Sequence, residues 1–205
     1  MSVNHPLINE LQKLKESSKY AIAQGGKYDL DDFKKYLHIE REVESKLKQI
    51  IVQSSSAAHT QLILVCGNVG DGKSHILSYL HNEIPNEIGK FQIHNDATES
   101  HNPNESSNDT LSRLLDGFRD KHIEHSNSKL ILAINLGTLS KFMEEHGSEF
   151  QQLAKFIQNQ AILDKTSLSF ENFDPESHFH QINFTGYHLY SLTENGTKID
   201  LCLDS

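Results

Sequence analysis

One stretch of this chain has the residue types and spacing to do chemistry: Gly67-Asn68-Val69-Gly70-Asp71-Gly72-Lys73-Ser74, which fits the G-x-x-x-x-G-K-[ST] pattern without a mismatch. Gly67, Gly70 and Gly72 carry no Cβ, so the backbone can curl through positive φ and turn successive N–H groups towards one point. A helix starting near Lys73 adds its partial positive charge there. The Lys73 ammonium can then meet the β- and γ-oxygens of a phosphate tail. The Ser74 hydroxyl can enter a Mg2+ shell whose other ligands are phosphate oxygens and water. Asn68, Val69 and Asp71 complete the wrap, and the Asp71 carboxylate is expected to face solvent or a neighbouring loop. The plainer alternative is a glycine-rich turn that binds nothing.

Hydrolysis needs more than a phosphate seat: a carboxylate near the metal and a polar group that positions the attacking water. The run Phe91-Gln92-Ile93-His94-Asn95-Asp96-Ala97-Thr98-Glu99 offers Asp96 for the metal, with Glu99 behind it. A loop acid or helix cap is the competing reading of Asp96. Asp204 closes a later apolar run and ranks below Asp96. The longest apolar run ends in Asn135, an amide, which reads as a sensor of the γ-phosphate or of water rather than as a metal ligand. The arginines are Arg41, Arg113 and Arg119. If a neighbouring copy must receive an arginine finger, Arg113 or Arg119 would supply it. His178 and His180 would share a face in a strand, yet no third metal ligand is identifiable near them. Cys66 ends an apolar run and reads as a small core residue.

These residues need elements to position them. Gln61 to Cys66 is a strand of the fully buried kind and leads directly into the glycine loop, with a helix over 73–82 after it, the strand-loop-helix setting the motif requires. Phe91 to Asn95 and Lys129 to Leu136 read as further strands. Asp109 to Ile123 and Leu139 to Ile162 read as helices, the latter broken at Gly147-Ser148. Strands alternating with helices predict right-handed crossovers and a mainly parallel sheet. Before them, residues 1–58 read as a helical segment: one helix up to Gly25-Gly26, a second from Asp29 or Asp31 through Ile51, then a polar connector over 54–58. After them, Asn195-Gly196 between apolar runs 187–192 and 198–203 signals a closing β-hairpin. The expected fold is therefore α/β, a P-loop NTPase three-layer sandwich over residues 59–205, preceded by helices and ending in the hairpin.

Charge and composition narrow the classes. The chain has 205 residues and a formal net charge of −9. The acidity lies in the second part, since residues 1–60 hold nine basic and eight acidic side chains and residues 61–205 hold ten and twenty. An acidic core without a basic stripe argues against gripping DNA directly. No apolar run reaches the roughly 18 residues of a membrane span, and the first residues lack the order of a signal peptide. Two cysteines cannot build a disulfide framework. A soluble protein of the reducing cytoplasm is expected. A small-molecule phosphotransferase, which wants an arginine-rich lid, suits this arginine supply poorly.

Three strings resemble one family: L-I-L-V-C-G-N-V-G-D-G-K-S-H-I-L-S-Y-L (Leu62 to Leu80), F-Q-I-H-N-D-A-T-E-S (Phe91 to Ser100) and L-A-I-N-L-G-T-L (Leu132 to Leu139). They look like the DptF family, the ATPase components of the phosphorothioation-dependent restriction systems of bacteria. The likeness runs from Tyr36-Leu37-His38-Ile39-Glu40-Arg41 to Ile182–Tyr187. The loop pattern is general to P-loop proteins; G-N-V-G-D-G-K-S-H, which brings His75 into the binding segment, and H-N-D-A-T are narrower. The resemblance implies ATP with Mg2+ as the ligand and companion restriction subunits, with DNA met through the complex, and it is compatible with an oligomer. It also implies a longer protein of which this is the N-terminal part. Gly67 to Ser74 carries over residue by residue. The rival function is a nucleotide-gated scaffold that binds ATP without turnover and recruits partners.

Overall fold

The computed structural model describes residues 35–36, 38–95, 107–163 and 173–186. The elements, in chain order, are α1 (Glu42–Ser55), β1 (Gln61–Cys66), α2 (Lys73–Glu83), α3 (Pro85–Ile88), β2 (Gln92–His94), α4 (Ser107–Leu114), β3 (Lys129–Ile134), α5 (Leu136–His146), α6 (Gln151–Asn159) and β4 (Phe179–Asn183). The four strands form one sheet in the order β2-β3-β1-β4, and every neighbouring pair is parallel. β1, which leads into the glycine loop, is central, with Ile63 opposite Ile131 on one side and His180 on the other.

Alternation along the strands builds two apolar layers, because successive side chains leave a strand on opposite faces. Leu62, Leu64 and Cys66 join Leu130, Leu132 and Ile134 under Leu111, Leu139, Phe142, Phe150, Leu153 and Ile157 of the α4–α6 side. Ile63 and Val65 face the other way and join Ile131 and Ala133 under α1, α2 and α3. This is an α/β chain with a parallel sheet covered by helices on both faces. β1 and β3 lack polar alternation because both of their faces are buried. α1 contributes Val43, Leu47 and Ile51, a four-residue spacing that puts one stripe on the sheet. Its last carbonyls, which no helical N–H can reach, are met by the Lys129 ammonium at 3.3 Å from Ser54 O and 2.7 Å from Ser55 O. Burial there lowers the Lys129 pKa, with Lys90 adding to the effect.

Several expected boundaries shift. The helix expected from Asp29 or Asp31 through Ile51 is not continuous: residues 38–41 leave the helix, and Arg41 is an extended N-cap to α1 at φ −127° and ψ 149°. This break accompanies the stacking of His38 on Tyr79 and the reach of Arg41 to the glycine loop. Ser54 and Ser55, read as connector, finish α1. β3 stops at Ile134 because Asn135 turns to cap α5, its Oδ1 accepting from Thr138 N at 2.7 Å. The helix read as 109–123 stops at Leu114 and continues as a 3-10 turn, Asp116–Phe118, where the Phe118 ring enters the core. The break at Gly147 falls where expected, with a 3-10 turn over Gly147–Glu149. β4 is an addition to the sequence reading. The first helix, Asp96, Glu99, Asp204 and the hairpin lie outside the described residues. No described helix is long and apolar enough to cross a membrane.

Candidate functional site: the glycine loop

In a parallel sheet the strands' carboxyl ends open onto a common crevice, and the glycine loop rises from the middle of that edge. Gly70 and Gly72 take φ of 92° and 84°, the left-handed region that glycine adopts without a Cβ penalty. Gly67 is reserved for glycine by proximity: a Cβ there would lie 2.7 Å from Asp71 Oδ2 and 2.9 Å from Phe184 Cβ. Gly72 is also the N-cap of α2 and offers no side chain to its first-turn amides. An uncapped helix start beside a left-handed turn is an arrangement that accepts an anionic oxygen.

The loop's own polar groups are arranged around that turn. Lys73 Nζ donates to Asn68 O at 2.6 Å, which bends the ammonium back across the loop. The Asp71 carboxylate, partly exposed as expected, also folds back on its own loop, with Asn68 N–H donating to Oδ2 at 2.5 Å. Asp71 is thus an internal anion held by one of the amides that a phosphate would use. Val69 stands at the tip, 91% exposed. The His75 imidazole turns away from the loop, its Nε2 3.1 Å from His38 Nδ1.

Behind α2 lies a small polar cluster. His38 stacks on Tyr79, ring centroids 3.6 Å apart, and its Nε2 is 3.1 Å from Glu44 Oε2. Burial, with help from the Glu40 charge, pushes the Glu44 carboxyl up to about 7, and burial also holds the His38 imidazole below its ordinary value. Cys66, directly before the loop, is wholly buried; burial pushes its thiol up to about 12 against the opposing pull of Lys73. It is a packing residue, inert as a nucleophile at neutral pH.

The remaining sequence candidates are spread over the same edge and beyond it. Asn135 ends β3, next to β1, and spends its Oδ1 on the α5 cap. Ser74, in the first turn of α2, is the one hydroxyl of the motif that a Mg2+ shell can use. Arg119 lies away from the loop, bound to Asp116, Ser112 and Glu149. His180 sits in β4, its Nε2–H donating to Gln61 Oε1 at 2.9 Å, and burial drives its pKa down to about 4. No group of three or more metal-ligating side chains occurs among the described residues.

Sequence reasoning missed Arg41. Its Nη2 donates to the carbonyl of Asp71 at 3.0 Å, and its guanidinium lies over the Phe184 ring at 5.3 Å. The signal that pointed to it was the arginine count itself: of three arginines, this one directly precedes a helix start with Glu42 and Glu44 in its first turn. Comparison of the chain with family models, with curated proteins and with solved structures found no match.

Proposed function

We propose that this chain binds the triphosphate tail of ATP with Mg2+ at the loop Gly67–Ser74 and hydrolyses it as the ATPase subunit of a phosphorothioation-dependent DNA restriction complex. One observation supports the binding step above all others: two left-handed glycines and an uncapped helix start, on the loop of the central strand of a parallel sheet. The residues fit the group. The loop amides and the α2 amides supply donors, Lys73 supplies a cation that can leave Asn68 O for a phosphate oxygen, and Ser74 supplies a hydroxyl for the metal. When bound, Mg2+ would neutralise charge on the β- and γ-oxygens. Asp96 is the proposed carboxylate of the metal shell and Asn135 the proposed sensor. The role in restriction, the companion subunits, the cytoplasmic setting and DNA contact through the complex rest on the resemblance of the three sequence strings.

Isothermal titration with MgATP compares the wild type with Lys73→Ala. Loss of a charge-assisted hydrogen bond of about 1.5–3 kcal/mol corresponds to weakening by roughly 10- to 150-fold. Equal heats from both chains would remove the loop from the argument. Asp96→Asn is expected to lower turnover strongly while binding persists; unchanged turnover would move the metal role elsewhere.

A second reading, a scaffold that binds ATP without turning it over, draws on the engagement of Arg119 with Asp116 and Glu149, which occupies one of the two arginines offered as a finger. Steady-state phosphate release above background by the isolated chain counts against it.

A further inference from the structure

We propose that Arg41 is a positioning residue of the phosphate loop: by holding the Asp71 carbonyl it orients the N–H of Gly72 towards a polyphosphate oxygen. The inference deepens the ATP-binding reading and rests on it. A peptide unit is planar and trans, so its carbonyl and its N–H point in opposite directions. Arg41 Nη2 holds the Asp71 oxygen at 3.0 Å, and the N–H on the same plane, that of Gly72, therefore points away from the guanidinium. That hold acts on a plane with a glycine on one side. Gly72 sits at φ 84° and ψ 14°, and glycine crosses between left-handed and other conformations at little cost.

The hold is itself firmly placed. The guanidinium lies over Phe184, which is 2% exposed, and Arg41 is the N-cap of α1, whose apolar stripe is buried against the sheet. Arg41 also crowds the turn from outside, its Nη2 lying 2.9 Å from where a Cβ on Gly72 would be. A planar fork that stacks and donates at once is a task for arginine and not for lysine, whose ammonium is a compact point charge on a flexible stem. The helix before the sheet thus reaches over the loop and sets one of its donors.

The test measures binding of MgATP and of inorganic tripolyphosphate to the wild type, Arg41→Ala and Arg41→Lys by titration calorimetry, with the 15N-amide resonance of Gly72 followed in the same proteins. We expect both variants to bind both ligands at least about 10-fold more weakly, by the same factor for each ligand, because a single donor to a charged group is lost. The Gly72 amide, sharp and shifted on tripolyphosphate saturation in the wild type, is expected to move little in either variant. Wild-type affinity in Arg41→Ala, or full rescue by Arg41→Lys, overturns the positioning role. If the alanine chain does not fold, the lysine chain and its Gly72 resonance decide. Should Lys73→Ala abolish binding while Arg41 variants bind normally, only this inference fails; should Lys73→Ala bind as the wild type does, the loop reading fails with it.

Discussion

Replacing Asp71 by asparagine is expected to tighten polyphosphate binding, an unusual direction for a change inside a binding loop. The carboxylate accepts from Asn68 N–H at 2.5 Å, so a phosphate oxygen using that amide must first displace it. Hydrogen bonds to a charged acceptor contribute roughly twice what neutral ones do, and the difference of about 1 kcal/mol is saved when the acceptor is an amide oxygen. Consider a displaced but still tethered carboxylate about 5 Å from a phosphate oxygen. At that distance the repulsion is about 0.8 kcal/mol in water and about 3 kcal/mol at an effective dielectric of 20. Asn68, Val69 and Gly70 are exposed, which favours the lower end. The two terms together give about 2 kcal/mol, or roughly 30-fold tighter binding. The assay is titration of MgATP and tripolyphosphate into wild type and Asp71→Asn at about 0.1 M and 1 M salt. The repulsive part should fade at the higher salt, where the screening length is about 3 Å. Unchanged or weaker binding by Asp71→Asn would refute the displacement argument and make the carboxylate a brace of the binding conformation instead.

Other outcomes test the surroundings of the loop. Asn135→Ala should lose about 1 kcal/mol of stability with the α5 cap, whereas Asn135→Ser should keep the cap yet lower ATP turnover by at least about 10-fold; full turnover in the serine variant would leave capping as the residue's whole role. His180, 3% exposed and with its pKa driven to about 4 by burial, binds a proton in the unfolded chain but not in the folded one between about pH 6.5 and 4. Stability should therefore fall by about 2–3 kcal/mol as pH drops through that window, and urea midpoints at pH 7 and 4.5 should show a flatter dependence in His180→Gln. Glu44 has the opposite sign: its pKa of about 7 makes the folded chain the better proton binder, so stability is lost as pH rises from about 4.5 to 7. Glu44→Gln should gain on the wild type by about 2 kcal/mol between pH 5 and pH 8, measured in a His38→Gln background because the two side chains touch.

β1 and β3 were readable because they are buried on both faces: Leu62 to Cys66 and Leu130 to Ile134 are unbroken apolar runs, and the glycine motif marks the turn out of the first. β4 was not readable because its sequence, Phe-His-Gln-Ile-Asn, is rich in polar residues whose burial is made possible by partners far away in the chain, as with His180 on Gln61. Periodicity carried the second helix straight through residues 38–41, since Phe33, Tyr36, Leu37 and Val43 keep a helical rhythm. The stacking of His38 on Tyr79 and the reach of Arg41 to Asp71 that break the helix are tertiary contacts without a local signature. At the site, the glycines, Lys73 and Ser74 were legible from their types alone. The direction of the Asp71 side chain was not, because a short acid in a tight turn chooses between water and a nearby N–H by loop geometry.

α1 is pinned at both ends. Arg41 ties its start to the loop at the carboxyl edge of the sheet, and Lys129 ties its finish to the opposite edge. A helix of 14 residues fastened in this way spans roughly 20 Å. One helix therefore joins the glycine loop to the first residue of β3 by a route that bypasses β1.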